Sequence, residues 1–391
     1  MLKLYHQCGL GIARSLGRLG IAVYGLHDDP SAPVPASRYW RTTFRWDLDR
    51  ESCEQSVEYV CNVGRRLGER PLLIATDDIS SMFVADNADS LQRVFAFPEQ
   101  PPGLAQSLYS KKRMYELCKA NGVSTPETFF PTCREDVVGF ARNATFPVVV
   151  KGIDSWRLGQ QRGVRTVIAQ GRDELLACYD ELEDLDDPNV MLQEYIPGGD
   201  DSVWMFNGYF DRRSECLIAF TGRKLRQYPP YTGMTSLGVC LPNEPVERAT
   251  REFMKALGYR GVLDIGWRFD ARDGRYKLLD VNPRVGATFR LFVGTNGLDV
   301  IRALYLDMTG QPVPETRQRD GRKWLVENND VISSVKYFRD GRLRLGEWAR
   351  SFRGVEEAAW FAWDDPLPFV KMACLSALAA ARRGKVSALP R

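Results

Sequence analysis

Lys277-Leu278-Leu279-Asp280-Val281-Asn282-Pro283-Arg284 is the stretch on which the reading of this chain turns. Read as a strand, its alternate residues share a face. Asp280 and Asn282 then present two oxygen-bearing side chains together, and Pro283 ends the strand directly after them. Upstream, GVLDIGWRFDARDGRYKLLDVN reads as two antiparallel strands joined around Asp273-Gly274, a strong hairpin signal. Folding back at that turn brings Asp264 roughly opposite Asp280. Two carboxylates and an amide oxygen form a hard-oxygen cluster suited to Mg²⁺, which takes a few protein oxygens alongside substrate phosphates. By themselves, two aspartates on a hairpin are ordinary polar positions on a solvated face. Here Asp280 follows Leu278 and Leu279 at the end of an apolar strand, where an unpaired carboxylate is costly.

Outward from this hairpin the chain reads as α/β. Over residues 9–75, GIARSLGRLG (helix), IAVYGL (strand), ESCEQSVEYVCNVGRRLG (amphipathic helix) and PLLIAT (strand, ending at Asp77 and Asp78) alternate as in a doubly wound, Rossmann-like lobe with a parallel sheet. FPEQPPGLAQ reads as a linker. SKKRMYELCKANG follows as a helix, with Ser110 as N-cap and Gly122 as its stop. Then come the buried strand FPVVVKG, the polar segment IDSWRLGQQRG, the strand VRTVIA, a helix from about Arg172, and NVMLQEYIPGGDD, a strand breaking into a Pro-Gly-Gly turn. A second sheet is expected over 202–226. The domains expected are 1–105, 106–187, 188–310 and 311–391. The last includes VKMACLSALAAARRGK, a helix apolar on most faces with a basic end; it reads as a packed terminal helix in preference to one lying on a membrane.

Composition narrows the chemistry. The 391 residues carry 53 Lys+Arg against 50 Asp+Glu, a net charge of +3, too small for nucleic-acid binding by bulk charge. The N-terminus lacks a signal-peptide pattern and no stretch reaches the roughly 18 apolar residues of a membrane span, so a cytoplasmic protein without an integral membrane segment is expected. Nine cysteines without a Cys-x-x-Cys fit reduced thiols. With only His6 and His27, a His-x-x-x-His metal site is excluded. Chemistry is expected to run on carboxylates, Lys, Arg and an oxygen-held metal.

Further candidates follow from position. Lys151 ends the apolar run FPVVV, where its ammonium can rest on a phosphate or snorkel to solvent. Lys111 and Lys112 open a helix, a place that favours acids, so they hint at an anionic ligand. In QEYIPGGDD, a strand that stops at Pro197 leaves backbone groups of Glu194, Tyr195 and Ile196 free for an adenine edge, and Asp200 or Asp201 can accept from ribose hydroxyls. In GRKLRQYPP, Lys224 and Arg226 share a strand face and can gather phosphate and carboxylate oxygens; a charged edge strand is the plainer reading.

In order, KKRMYEL with GVSTPET, FPVVVK, MLQEYIPGGDD, LDIGWRFD and LLDVNPR resemble the ATP-grasp superfamily over about residues 106–305. GLGIARSLGRLGIAVYG, SRYW, RKLRQYPP and WFAWDDP resemble the branch of carboxylate–amine ligases that includes D-aspartate ligases. The resemblance implies an ATP-grasp fold behind a pre-ATP-grasp lobe, with ATP and Mg²⁺ or Mn²⁺ as cofactors. Lys111 or Lys112 and Lys151 would contact phosphates, Gln193, Glu194, Tyr195 and Ile196 would line the adenine pocket, and Asp201 would hold ribose. Asp264, Asp280 and Asn282 would carry the metal. Arg284 would face the transferring phosphoryl group, with Lys151 and Arg226 beside it in catalysis. The implied reaction joins a small-molecule carboxylate to an amine through an acyl phosphate, releasing ADP and phosphate; a homodimer is compatible with it. Asp280 stands where the family commonly has glutamate. The phosphate-covering loop DSWRLGQQRG is poor in glycine, so Arg157 or Arg162 would substitute for its backbone, and MLKLYHQ is a short, polar version of the usual first strand. Asp77, Asp78, Tyr228, Tyr231 and Arg290 are candidates for the substrate pocket.

Three rivals remain. Gly9 and Gly11 with Asp28 and Asp29 mimic a dinucleotide fingerprint of an NAD-dependent oxidoreductase, but Arg14 occupies its third small position. The others are a non-catalytic nucleotide-binding protein of the same fold and a biotin-type carboxylase.

Overall fold

The computed structural model describes residues 1–386 apart from Tyr5, Arg165 and Leu185. In the N-terminal lobe, β1 (Val23–His27) and β2 (Trp40–Arg45) pair in parallel. The ladder continues beyond β1: the Leu4 N–H donates to the Leu26 carbonyl at 3.1 Å, and that of Leu2 to Ile74 at 2.9 Å. Leu72 bridges in parallel to Ala96. Although MLKLYHQ is polar in composition, Leu2 and Leu4 are fully buried. The helix Cys53–Leu67 starts where the Ser52 hydroxyl accepts from the Gln55 N–H, and its Val60 and Cys61 pack against Leu26, Leu73 and Phe95. This is the expected parallel α/β lobe.

Gly9 and Gly11 lie inside the helix Gln7–Gly17. A dinucleotide turn needs its glycines in the loop between strand and helix. Arg14 on the same helix is buried, donating to Asp365 at 3.0 Å and to the carbonyls of Ala359 and Trp360. The oxidoreductase reading therefore lacks its loop.

The second sheet holds β3 (Thr128–Phe129), β4 (Val148–Gly152), β5 (Thr166–Ala169) and β6 (Val190–Glu194) in the order β3-β6-β4-β5, all antiparallel. Helices Arg134–Asn143 and Arg172–Leu182 cover one face, burying Val137, Leu175 and Tyr179 against Val148, Val150 and Leu192. Residues 155–162 depart from expectation. They form a helix, with the Asp154 carboxylate accepting from the Arg157 N–H at 3.0 Å, where a phosphate-covering loop was expected. A carboxylate at that position satisfies a first-turn donor and favours the helix.

The large sheet is built from β7 (Val203–Phe210), β8 (Cys216–Tyr228), β9 (Met234–Cys240), β10 (Gly261–Asp270), β11 (Arg275–Asn282), β12 (Lys323–Leu325) and β13 (Val355–Ala358), ordered β11-β10-β7-β8-β9-β12-β13. The β10–β11 hairpin turns at Asp273-Gly274, Gly274 taking φ +71°, where a side chain would be strained. Residues 311–372 are woven into this body: β12 and β13 extend the sheet, and Trp324 and Trp360 share one core with Leu10, Ile12 and Phe289. The terminal helix Leu367–Val386 differs from expectation. Met372 is buried, but residues 373–379 are all exposed, so of the part whose side chains are described it packs only at its start. Among the described residues no helix is long and apolar enough to cross a membrane.

Candidate active site

The hairpin brings its polar residues together. Asp264 lies opposite Asn282, and Asp280 opposite Gly266, one pair further along than the turn alone suggested. The three side chains converge: Asn282 Nδ2 lies 3.4 Å from Asp264 Oδ2 and 3.3 Å from Asp280 Oδ2. Room for Asp264 exists because residue 286 is glycine; a Cβ there would sit 2.4 Å from the Asp264 carboxyl carbon. On the other side, β10 pairs with β7, placing Asn207 opposite Asp264. Asn207 is buried and its Oδ1 has no hydrogen-bond partner among the described residues. Two carboxylates with the unpartnered Asn207 oxygen beside them fit Mg²⁺; Asn282 turns its Nδ2 to the carboxylates and its Oδ1 to Arg284, so it adds an oxygen ligand only with its amide turned over.

Cations face this cluster from three elements. Lys111, the first residue of the helix Lys111–Ala120, donates to Asp280 Oδ1 at 2.9 Å. Burial disfavours its charge, but Asp280 outweighs burial and raises its pKa. In return Lys111, the largest influence on Asp280, holds that carboxyl well below the usual range. Lys151, near the end of β4, has its pKa lowered to about 7 by burial and by the neighbouring Lys111. Lys224 on β8 is lowered by burial, while Asp264 and Asp280 pull it the other way; its Nζ donates to the Gly233 carbonyl at 2.9 Å. Burial pushes Asp264 up to about 6. From the hairpin's end, Arg284 donates to Asp78 of the N-terminal lobe at 2.6 Å and to Asn282 Oδ1 at 3.2 Å. Burial opposes its charge, and Asp78 overcomes that.

These groups adjoin a cleft of about 1130 Å³ lined by Lys151, Gln193 to Ile196, Gly198 to Asp200, Lys224 and Leu279, among others. The Glu194 backbone is less free than expected: its N–H donates to Glu127 O at 2.8 Å, and its carboxylate is held by Arg272 and Lys277. Asp200, not Asp201, lines the cleft; it accepts from Gln227 Nε2 at 2.7 Å and from the Tyr337 hydroxyl. Asp201 is exposed.

Several candidates are engaged in other contacts. Arg226 borders the cleft, but its guanidinium is a correction to the expected role: it is buried and bidentate on Asp330, at 2.7 and 2.8 Å, with Ser351 beside it. The register of β8 against β9 shifts on either side of Arg226, which breaks the alternation that would have put it on one face with Lys224. Lys112 turns from the cluster to the Phe130 ring, 5.6 Å from its centroid. Arg157 pairs with Asp187 and Arg162 with the Glu183 carbonyl, and neither lines the cleft. Asp77 caps the helix Asp78–Asp86 and pairs with Lys3, and Arg290 is held between Asp299 and Glu357. Of the substrate-pocket candidates, Asp78 reaches Arg284 and Tyr231 lines the cleft. Tyr337, Asp340 and Arg342 also line it, from a segment far along the chain that no local motif marks.

A cation-rich antiparallel sheet facing an acid-bearing hairpin across a cleft, behind a parallel α/β lobe, is the ATP-grasp fold. Solved neighbours agree. The biotin carboxylase domain dimer of Hydrogenobacter thermophilus 2-oxoglutarate carboxylase, in complex with MgADP, ADP and bicarbonate, matches with TM-score 0.63 at 14% identity, covering 82% of this chain and 72% of that one. The L-amino acid ligase of Bacillus licheniformis matches with TM-score 0.59 at 15% identity, over 78% and 73%. In sequence the chain is similar to the D-aspartate ligase of Enterococcus faecium (strain Aus0004), 26% identical over 255 residues; this is 63% of the chain and 60% of the relative. The chain thus spans under two thirds of that relative's length. No protein-family model matches it.

Proposed function

We propose that this chain is an ATP-dependent ligase that joins a small-molecule carboxylate to an amine and releases ADP and phosphate. The observation that carries the reading is the convergence of Asp264, Asp280 and Asn282 with Lys111 at 2.9 Å from Asp280, next to Lys151 and Lys224, which line the cleft. In this reading Asp264, Asp280 and Asn282 would hold Mg²⁺, which when bound would supply charge neutralisation at the ATP phosphates. Lys111, Lys151 and Lys224 bind phosphate oxygens; Gln193 to Ile196 line the base, with Asp200 rather than Asp201 nearest the ribose. Arg284, braced by Asp78, faces the γ-phosphoryl group and stabilises the oxyanions of both steps.

The reaction proceeds in two displacements. A substrate carboxylate oxygen forms a bond to the γ-phosphorus as the bond to the ADP oxygen breaks. The amine nitrogen then bonds the acyl carbon, the carbon–oxygen bond to phosphate breaks, and the surplus amine proton passes to solvent. No histidine is needed, since positioning and charge neutralisation carry phosphoryl transfer.

The relative named D-aspartate ligase supports an amino-acid substrate. The division at residues 105, 187 and 310, a cytoplasmic location without nucleic-acid partners, and a homodimer complete the reading; sedimentation velocity reads the dimer. The deciding experiment measures ADP release across a panel of acids and amines headed by D-aspartate. Release that requires one acid and one amine supports the ligase. AMP as product, NADH-linked turnover, or bicarbonate as the sole acid defeats it, as does nucleotide binding without turnover on any pair.

A further inference from the structure

We infer, resting on the ligase reading, that the amine substrate arrives as an ammonium ion and is held by Asp78, beside a second cavity that Arg284 walls. This cavity holds about 480 Å³, within the roughly 300–1,000 Å³ of small-molecule pockets. Ser81, Val84 and Ala85 of the helix Asp78–Asp86 line one side of it, and Pro283, Arg284 and Val285, just past β11, line another. Residues three and seven apart share a helix face, so Asp78 stands at the head of the row that Ser81 and Ala85 continue into the cavity. Its Oδ1 accepts from Arg284 Nε at 2.6 Å; its Oδ2 accepts from no described residue, and the side chain is 42% exposed.

Neighbouring acids are engaged. Asp77 accepts from the Ser80 N–H at 2.8 Å and pairs with Lys3, and Asp154 accepts from the Arg157 N–H at 3.0 Å. Asp264 and Asp280 belong to the metal in the ligase reading. Asp78 keeps an oxygen to offer, and it lies within electrostatic reach of the phosphate site: Lys111, whose charge burial opposes and Asp280 restores, is pulled up by Asp78 as well. Arg284 and Ser81 line this cavity and not the nucleotide cleft. The acid must touch the γ-phosphorus in the first displacement, whereas the amine needs to reach only the acyl carbon afterwards, so the cavity set apart from the nucleotide fits the amine. Once Arg284 turns to the acyl phosphate, Asp78 loses its cation, and an ammonium replaces it with a charge-assisted hydrogen bond. Held there, the ammonium gives one proton to solvent. The freed lone pair bonds the acyl carbon as the carbon–oxygen bond to phosphate breaks, and a second proton follows to solvent.

The test offers hydroxylamine, neutral at the assay pH, in place of the amine, and compares hydroxamate with amide formed from the same acid by wild type, Asp78→Asn and Asp78→Glu. A neutral nucleophile needs no carboxylate to hold it. Asp78→Asn still presents an oxygen to Arg284, and it is expected to lower the amide-to-hydroxamate ratio by at least about tenfold through a raised KM for the amine, with KM for the acid within about twofold. Asp78→Glu keeps the charge and is expected to hold that ratio within about threefold of wild type. Equal loss of both products would leave Asp78 as a brace of Arg284 alone and overturns the inference. So does a raised KM for the acid, which would place the acid's own ammonium at Asp78, or a ratio that falls as far in Asp78→Glu. A wild-type chain that makes hydroxamate from no acid brings down the ligase reading itself, and this inference with it.

Discussion

Two ionic clusters of the large sheet invite comparison. Arg226 and Asp330 form a closed pair: their side chains are 5% and 1% exposed, two short hydrogen bonds join them, and Ser351 and Ser236 take up the remaining capacity. The hairpin cluster is open. Asp280 is 42% exposed beside Lys111 at 17%, and burial, with a like-charged neighbour adding to it in each case, pushes Lys151 down to about 7 and Asp264 up to about 6. A pair that fixes the fold satisfies its own charges, since a lone buried charge is costly. A cluster awaiting a polyanion and a cation keeps like charges in tension, because the ligand supplies what is missing.

That contrast breaks first, if at all, at Asp280. Asp280→Asn is expected to lower ADP release by about 10²–10³-fold, in line with losing one preorganised charge at a phosphoryl-transfer site, with cooperative urea unfolding retained. Arg226→Met should behave in the opposite way. It strands Asp330 in the core and costs about 3–5 kcal/mol of unfolding free energy, while turnover per folded molecule changes by less than about threefold. A turnover loss without a stability loss would move Arg226 into the site. Next in size, Lys224→Met removes a charge-assisted contact of about 1.5–3 kcal/mol, so kcat/KM for ATP should fall by roughly 10–100-fold.

How far these clusters can be told apart from sequence depends on how local their signals are. The Asp280-Val281-Asn282-Pro283 run and the Asp273-Gly274 turn lie within one hairpin, so a two-residue period places both side chains on one face. Even there, the register put Asn282, not Asp280, across from Asp264, because turn residues locate a bend but not the bulge at Gly266/Trp267. For Arg226 the period failed outright, since the register irregularities of β8 have no marker in GRKLRQYPP. The partner that decides its role, Asp330, is 104 residues away. Tyr337 and Asp200 likewise meet only through tertiary packing. The IDSWRLGQQRG helix was missed because a polar segment without an apolar stripe gives no period to read.

Smaller effects sharpen the contrast. Lys151 in the folded chain has its pKa near 7 against 10.5 when free, so above pH 7 the unfolded chain binds the extra proton. Stability from this group is therefore complete above about pH 10.5 and is lost as pH falls toward 7. Urea midpoints of the ligand-free protein should rise across that window, and Lys151→Met should flatten the rise. The smallest effect is expected at Lys112. It sits beside Lys111 in sequence, yet its ammonium rests on the Phe130 ring, and an exposed contact of this kind is worth about 0.5–1 kcal/mol. Lys112→Ala should leave KM for ATP within about twofold of wild type and lower the unfolding midpoint slightly, whereas Lys111→Met, which removes the partner of Asp280, should raise that KM by about tenfold or more. The helix turns roughly 100° between successive residues, so two adjacent lysines cannot both face one phosphate group. Equal losses at both positions would mean that the helix rolls when nucleotide binds, and the division between open and closed clusters would then have to be drawn on the bound state.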